Sequence, residues 1–164
     1  MILELEGIFN NESGGYPFDY SFDLEGGELL TAHSFDPVSV RVSGAVTSDA
    51  GAVSLSADAV YSYGAQCDLC AKEFTDTQEV SVEQKLARSL EDDESGEYLL
   101  IPDAVLNLDE LIRENIFLHF PMRVLCKEDC RGLCPVCGAD LNEENCGCKK
   151  EIDPRLSALK DLLI

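Results

Sequence analysis

The sequence predicts an α+β fold, built as an antiparallel β-meander or barrel-like sheet with one or two helices and a cysteine-rich C-terminal segment. Three observations lead to this prediction. Apolar and polar residues alternate through most of the first 90 residues, which is the period of a half-buried strand. A helical pattern with a start signal and a stop signal covers about residues 108–119. Six of the eight cysteines then fall within residues 122–150, where little periodicity remains.

The predicted strands share a period of two and are bounded by turn residues. They cover residues 2–9, 17–24, 37–46, 53–63 and 74–86, and a short extended segment at 98–105 is broken by Pro102. The third and fourth strands flank Ser48-Asp49-Ala50-Gly51, which has the composition of a hairpin turn. We therefore expect these two strands to pair antiparallel.

Two helices are predicted after the strands. Asn107 is the expected N-cap of the first, and Glu110 stands three residues later to complete a capping box. Pro121 ends this helix. A short final helix is expected from Asp153, with Pro154 in its first position. Leucines give this last helix an apolar face: Leu156, Leu159, Leu162 and Leu163.

Charge divides the chain into two parts. The net charge is −20, and residues 1–119 carry 5 basic and 24 acidic side chains, whereas residues 120–164 carry 7 and 8. The sequence therefore predicts an acidic β-rich body at residues 1–121 and a cysteine-rich, metal-binding tail at residues 122–164. An acidic body repels phosphate backbones, which disfavours nucleic-acid binding by the whole molecule.

The N-terminal sequence lacks the basic region and the apolar run of a signal peptide. No stretch approaches the roughly 18 apolar residues of a membrane-spanning helix. We therefore expect a cytoplasmic protein without a membrane partner. Thiols stay reduced in the cytoplasm, so cysteine pairs there indicate metal ligands rather than disulfides.

The eight cysteines form four closely spaced pairs, and two cysteines in one turn can direct both sulfurs at a single Zn²⁺. We predict two four-cysteine zinc sites; a single zinc ion is an alternative. Spacing favours joining 134/137 with 146/148 and 67/70 with 126/130, although Cys130 could instead join the 134/137 pair. Iron–sulfur ligation and thiol redox chemistry are further alternatives. The predicted metal ligands are Cys67, Cys70, Cys126, Cys130, Cys134, Cys137, Cys146 and Cys148.

No catalytic constellation is recognisable in the sequence. A catalytic zinc keeps an open coordination position and commonly uses histidine, but His33 and His119 do not have a metal-binding spacing. Gly-rich phosphate loops, nucleophile elbows and paired-carboxylate motifs are also missing. The sequence therefore predicts that the protein is not an enzyme and has no small-molecule substrate. It leaves the oligomeric state open.

The run from Cys126 to Asn142, followed by Cys146-Gly147-Cys148 and Asp153-Pro154-Arg155-Leu156, resembles the YceD family of large ribosomal-RNA subunit accumulation proteins. The resemblance implies a bacterial, non-catalytic ribosome-biogenesis factor that supports the synthesis, processing or stability of 23S ribosomal RNA. Relatives often carry a basic residue just before the second cysteine of the upstream pair. This chain has Leu69 at that position, so the resemblance does not imply an RNA contact at that turn.

Ribosomal RNA and ribosomal proteins are the partners that the resemblance implies. Ordinary solvated surface is the alternative reading of the basic residues around the cysteines. A zinc- or redox-sensing regulatory protein is the alternative function, and a thiol or zinc enzyme is a further one. The candidate RNA or partner contacts are Arg123, Lys127, Arg131, Lys149, Lys150 and Arg155.

Overall fold

The structure is a computed structural model, and it describes residues 1–10, 13–24, 38–89 and 97–148. The fold is α+β and consists mostly of sheet, as the sequence predicts. The final helix expected from Asp153 lies outside the described residues. The described elements are, in chain order, β1 (Ile2–Glu4), α1 (Glu6–Phe9), β2 (Ser13–Leu24), β3 (Val38–Asp49), β4 (Ala52–Gln66), β5 (Glu73–Ala87), β6 (Tyr98–Leu100), β7 (Val105–Asn107) and α2 (Leu108–His119).

Five of the described strands form the main sheet, in the order β2-β3-β4-β5-β6. Strands β2 to β5 form the predicted antiparallel meander, whereas β6 joins β5 in parallel. Strands β3 and β4 are joined by Ala50 and Gly51, whose φ angles are 49° and 85°. Positive φ at both central residues is what a type I′ hairpin requires, because its twist then matches that of the strands.

A separate two-stranded sheet pairs β1 with β7, with Leu3 opposite Leu106. The prediction of one strand over residues 2–9 was therefore wrong, because β1 ends at Glu4. The N–H of the fully buried Leu5 donates to the carbonyl of Ala104 (2.8 Å), and the N–H groups of residues 8 and 9 donate back to the Leu5 carbonyl. This turn begins α1 and stops the alternation of the strand.

Helix α2 has the bounds that the sequence predicts, but the predicted capping box was wrong. Among the described residues, the Asn107 side chain caps no backbone group; its Nδ2 donates to Glu110 Oε2 (3.2 Å). The N–H of Leu108 instead donates to the carbonyl of Met1 (3.0 Å). Strand pairing thus places an acceptor beside the start of the helix, where a side-chain cap would otherwise serve.

The core lies between the inward faces of the strands and the apolar stripe of α2. Burial alternates along β3 and β4, in the period expected of a sheet with one covered face. Helix α2 buries Leu108, Ile112 and Ile116, each with essentially no exposed surface. At roughly 25 cal/mol per Å², such burial is the main force that stabilises the sheet.

The chain divides into two compact units. The first consists of Met1–Ala65 and Phe74–Met122, and it contains the helices and nearly all of the sheet. The second consists of Gln66–Glu73 and Arg123–Ile164, of which residues 149–164 lie outside the described part. All eight cysteines belong to the second unit. Neither of the two described helices is long and apolar enough to cross a membrane.

Gly44 of β3 provides a test of packing in the first unit. A Cβ at this position would lie 2.2 Å from the Ser56 carbonyl oxygen and 2.7 Å from Ala57 Cα, so backbone must move. We expect Gly44→Ala to lower the free energy of unfolding by about 1–3 kcal/mol, measured by urea unfolding with circular dichroism. Gly64→Ala on β4 is the matched control, because nothing lies within 4 Å of its Cβ. Equal stability of the two variants would contradict the prediction.

Candidate metal centre

The connection between β4 and β5 forms a closed turn that carries two cysteines. The N–H of Cys67 donates to the carbonyl of Lys72 (2.9 Å), and the N–H of Ala71 donates to the carbonyl of Cys67 (2.8 Å). Ala71 lies in the left-handed region with φ 57°. The turn therefore holds Cys67 and Cys70 close together, as a metal-binding pair requires.

Asp68 attaches a distant segment to this turn. Its N–H donates to the carbonyl of Val124 (2.9 Å), and its Oδ2 accepts the N–H of Val124 (2.7 Å). The segment after α2 is thereby held against the turn by both backbone groups of one residue. This contact brings Cys126 and Cys130 next to the first pair.

The four cysteines so assembled are called the hairpin site: Cys67, Cys70, Cys126 and Cys130. Their sulfurs all lie within 4.8 Å of one another. The Cys67 and Cys130 sulfurs are 3.7 Å apart, and those of Cys70 and Cys126 are 3.6 Å apart. A tetrahedron with metal–sulfur bonds of about 2.3 Å has sulfurs about 3.8 Å apart, so the geometry fits a single ion.

The other four cysteines form a second group, called the tail site: Cys134, Cys137, Cys146 and Cys148. Their sulfurs also lie within 4.8 Å of one another. Gly138, with φ 75°, donates its N–H to the Cys134 carbonyl (2.9 Å), and the N–H of Val136 donates to Cys134 Sγ (3.5 Å). This tight turn needs the left-handed conformation that glycine adopts without steric cost.

Gly132 permits the close approach of two backbone segments. It has φ 72°, and a Cβ there would lie 2.9 Å from the Leu69 carbonyl oxygen. The same oxygen accepts the N–H of Leu133 at 3.0 Å. Leu69, which stands between Cys67 and Cys70, thus lies against Gly132. The resemblance leads one to expect a basic residue at position 69.

The two sites differ in their access to solvent. Cys67, Cys70 and Cys130 of the hairpin site are buried, and Cys126 is half-buried. In the tail site only Cys134 is buried, Cys146 is half-buried, and both Cys137 and Cys148 are exposed. Reagents in solution therefore reach the tail site more readily.

Each site contains one cysteine whose thiolate is stabilised by backbone amides. Burial raises the pKa of Cys67, but the amides of Cys126, Cys70 and Leu69 outweigh it and lower this pKa to about 6. In the tail site the amides of Cys137 and Val136 lower the pKa of Cys134 to about 6. Amide donors aimed at sulfur are a common feature of thiolate metal sites because they stabilise the charged ligand.

Four neighbouring thiols have raised pKa values instead. Burial and the Cys70 side chain raise the pKa of Cys126 to about 12. A hydrogen bond that the Cys148 thiol donates to Cys137, together with burial, raises the pKa of Cys148 to about 12. Cys134 similarly raises the pKa of Cys146. The Lys72 amide lowers the pKa of Cys70, yet burial and the neighbouring thiols leave it raised overall. These four thiols therefore carry a proton near neutral pH when no metal is bound.

The structure groups the eight cysteines in the pairs that spacing favours, and Cys130 lies in the hairpin site rather than with the 134/137 pair. Two of the candidate contact residues bind neighbours in the second unit. Arg131 Nη1 donates to Asn145 Oδ1 (3.1 Å), and Lys127 lies 3.7 Å from an Asp129 oxygen. Arg123 is also in this unit, whereas Lys149, Lys150 and Arg155 lie outside the described residues.

Charge in the described part of the second unit is acidic, with four basic and seven acidic side chains in residues 66–73 and 123–148. The nearly neutral charge balance of residues 120–164 therefore depends on the residues after 148, which carry four basic and three acidic side chains. His119 takes no part in either site. His119 Nδ1 is hydrogen-bonded to the carbonyl of Asn115 (2.8 Å), and His33 lies outside the described residues.

Sequence reasoning missed three residues that build these sites: Asp68, Gly132 and Asn142. Asp68 and Gly132 lie between or beside the cysteines, but their roles depend on contacts with distant segments. Asn142 Nδ2 donates to Cys130 Sγ (3.4 Å). The only local signal for Asn142 is the Asp140-Leu141-Asn142 turn, in which Asp140 Oδ1 accepts the N–H of Asn142.

Comparison with known proteins decides the family. The sequence profile of the family described as "Large ribosomal RNA subunit accumulation protein YceD" matches residues 55–163, which is more than half of the 164 residues. The chain belongs to the YceD family. The match includes the β4–β5 turn and all eight cysteines. No solved structure matches the chain.

Relatives are found in bacteria and in a plant. An uncharacterized protein of Mycobacterium tuberculosis is 36% identical over 73 residues, which is 44% of this chain and 34% of that protein. YlbN of Bacillus subtilis, also uncharacterized, is 32% identical over 77 residues, 44% of each chain. The "Large ribosomal RNA subunit accumulation protein YCED homolog 1, chloroplastic" of Zea mays is 37% identical over 59 residues, 35% of this chain and 20% of that protein. The chain spans about a third of the length of the mycobacterial relative.

Proton release should accompany metal binding at both sites. Cys70, Cys126, Cys146 and Cys148 have raised pKa values and carry protons near pH 7. Adding Zn²⁺ to the reduced chain should therefore release at least about two protons for each ion bound. Affinity should fall with decreasing pH, and more steeply below about pH 6, where Cys67 and Cys134 also gain protons.

The measurement is isothermal titration calorimetry in several buffers that differ in ionisation enthalpy. Ca²⁺, which prefers oxygen ligands, serves as the control and should release no protons from the thiols. Zinc binding with an apparent release of fewer than two protons for each ion would contradict the raised pKa values.

Proposed function

We propose that this chain is a non-catalytic ribosome-biogenesis factor of the cytoplasm, which supports the synthesis, processing or stability of 23S ribosomal RNA. We also propose that two four-cysteine zinc sites stabilise it. The proposal rests on the family of this chain, which is described by large ribosomal RNA subunit accumulation. The printed name of the maize relative, which includes the same words, supports it.

Zinc suits both sites better than the other metals considered. Four thiolates are the ligands of structural zinc, and sulfurs 3.6–3.7 Å apart in the hairpin site enclose one ion rather than a polynuclear iron–sulfur cluster. Zinc bound there would join the β4–β5 turn to the segment after α2, and its binding free energy would add to folding. Cys67, Cys70, Cys126 and Cys130 would hold one ion; Cys134, Cys137, Cys146 and Cys148 would hold the other.

A structural role for these ions follows from their ligand number. Four thiolates complete the tetrahedron, so no coordination position remains for water or substrate. We therefore assign the protein no reaction and no small-molecule substrate. Its contribution to ribosome assembly would be made through contacts with macromolecules.

A basic protein is the partner that the charges of the first unit favour. Arg41 forms two hydrogen bonds with the Asp19 carboxylate (2.9 and 3.2 Å), and Lys85 pairs with Glu97. These two cations are paired with carboxylates of the same chain. Among the described residues of the first unit, acidic side chains outnumber basic ones. Ribosomal proteins have the complementary charge, and long-range attraction would speed their encounter. RNA contact would fall to the basic residues of the second unit.

Depletion of the protein in its own host tests the biogenesis role. We expect the ratio of 23S to 16S ribosomal RNA to fall and free small subunits to accumulate in a sucrose gradient. The wild-type gene and the Gly64→Ala variant should restore both. The Cys67→Ser/Cys70→Ser variant should not, because the hairpin site would lose half its ligands. An unchanged ratio and gradient after depletion would refute the proposal.

A zinc- or redox-sensing role is the second candidate, and the exposure of Cys137 and Cys148 favours it. Exposed thiolate ligands are open to oxidation, which releases the metal. Mild hydrogen peroxide should then release zinc from the tail site before the hairpin site, with a chromophoric chelator reporting the released ion. Thioredoxin should restore binding. Equal rates of release from the two sites would argue against a sensor.

A further inference from the structure

Asn142 belongs to one site by sequence and contacts the other. It lies between Cys137 and Cys146, two ligands of the tail site. Its side chain nevertheless reaches the hairpin site, where Nδ2 donates to Cys130 Sγ (3.4 Å). Oδ1 of the same amide accepts the N–H of Arg131 (2.9 Å), which is the residue next to that ligand.

The tail loop fixes the orientation of this side chain. Asp140 Oδ1 accepts both the N–H of Asn142 (2.8 Å) and its Nδ2 (2.7 Å). The N–H of Leu141 donates to the Gly132 carbonyl (2.9 Å), so the loop is held beside the segment that joins the two sites. Each polar atom of the Asn142 amide therefore has a defined partner, and the donor faces the sulfur.

Metal at the tail site would restrain this loop at both ends, because Cys137 and Cys146 are ligands on either side of it. A restrained loop keeps the amide donor at Cys130. A hydrogen bond from an amide stabilises a thiolate ligand, and loss of such an outer contact typically weakens metal binding about 10- to 100-fold.

We infer that Asn142 is a positioning residue that couples the two metal sites, so that an ion at the tail site strengthens binding at the hairpin site. The inference rests on the zinc sites of the proposed function. Coupling of this kind is reciprocal, so an ion at the hairpin site also strengthens the tail site. The tail site has the exposed ligands, so its metal is the more accessible to reagents in solution. Through the coupling, removal of that metal weakens metal binding at the buried hairpin site.

Zinc transfer to a chromophoric chelator tests the coupling in the full-length chain. The proteins compared are wild type, Asn142→Ala, the tail-site variant Cys137→Ser/Cys148→Ser, and the combination of all three substitutions. Cadmium NMR of the same proteins assigns each ion to its site. We expect Asn142→Ala to weaken the hairpin site about 10- to 100-fold, the tail-site variant to weaken it by a similar factor, and the combination to add no further loss.

Two variants separate sulfur contact from general support of the loop. Asn142→Asp keeps the acceptor for the Arg131 N–H but lacks the donor to Cys130, so it should lose at least as much affinity as Asn142→Ala. Asn145→Ala is the matched control, since Asn145 Oδ1 accepts a hydrogen bond from the Arg131 side chain. It should leave the hairpin site close to wild type.

Three results would overturn the coupling: Asn142→Ala behaving like Asn145→Ala, a tail-site variant with wild-type affinity at the hairpin site, or losses that multiply in the combined variant. Wild-type protein that binds two zinc ions independently would overturn the coupling and leave the proposed zinc sites intact. Protein that binds no zinc would contradict both. Ribosomal RNA levels after depletion give a separate reading of the biogenesis role.

Discussion

The second unit depends on the hydrogen bonds between Asp68 and Val124. The N–H of Asp68 donates to the Val124 carbonyl, and its carboxylate accepts the Val124 N–H, so one residue binds both backbone groups of another that is 56 positions away. Asp68 stands between Cys67 and Cys70, and Val124 precedes Cys126 by two residues. The contact therefore determines which cysteines meet. Metal can bind only after such contacts, or together with them, have brought the four sulfurs near one another.

The two units are stabilised by different forces. In the first unit, burial of alternating side chains and of the stripe on α2 supplies the stability, and this part contains no cysteine. The described part of the second unit has only short stretches of regular pairing, such as the bridge between Leu133 and Asp140, and little apolar surface to bury. Metal–thiolate bonds would replace the missing core, as they do in other small metal-binding domains. Loss of metal should therefore affect the second unit far more than the sheet.

Much of the fold could be predicted because it depends on local pattern. The alternation around Val40 and Leu55, the turn at Ala50-Gly51 and the bounds of α2 are all determined by neighbouring residues. The predictions were wrong where contacts with residues distant in sequence determine the local structure. Strand β1 ends where its pairing with β7 ends, and the start of α2 is satisfied by the Met1 carbonyl instead of a side chain. In the sites, spacing was enough to predict how the eight cysteines group into two sets of four, but the contacts of Asp68 and Asn142 join segments that sequence spacing does not relate.

The second unit is discontinuous in the chain, since its first segment is the connection between two strands of the sheet. This arrangement imposes an order on synthesis. Cys67 and Cys70 leave the ribosome before their partners Cys126 and Cys130 exist, whereas all ligands of the tail site emerge within fifteen residues of one another. During that interval the nascent chain presents a single unsatisfied cysteine pair at the tip of a growing β-hairpin. Cys126 and Cys130 thus complete a site whose first two cysteines were translated more than 50 residues earlier.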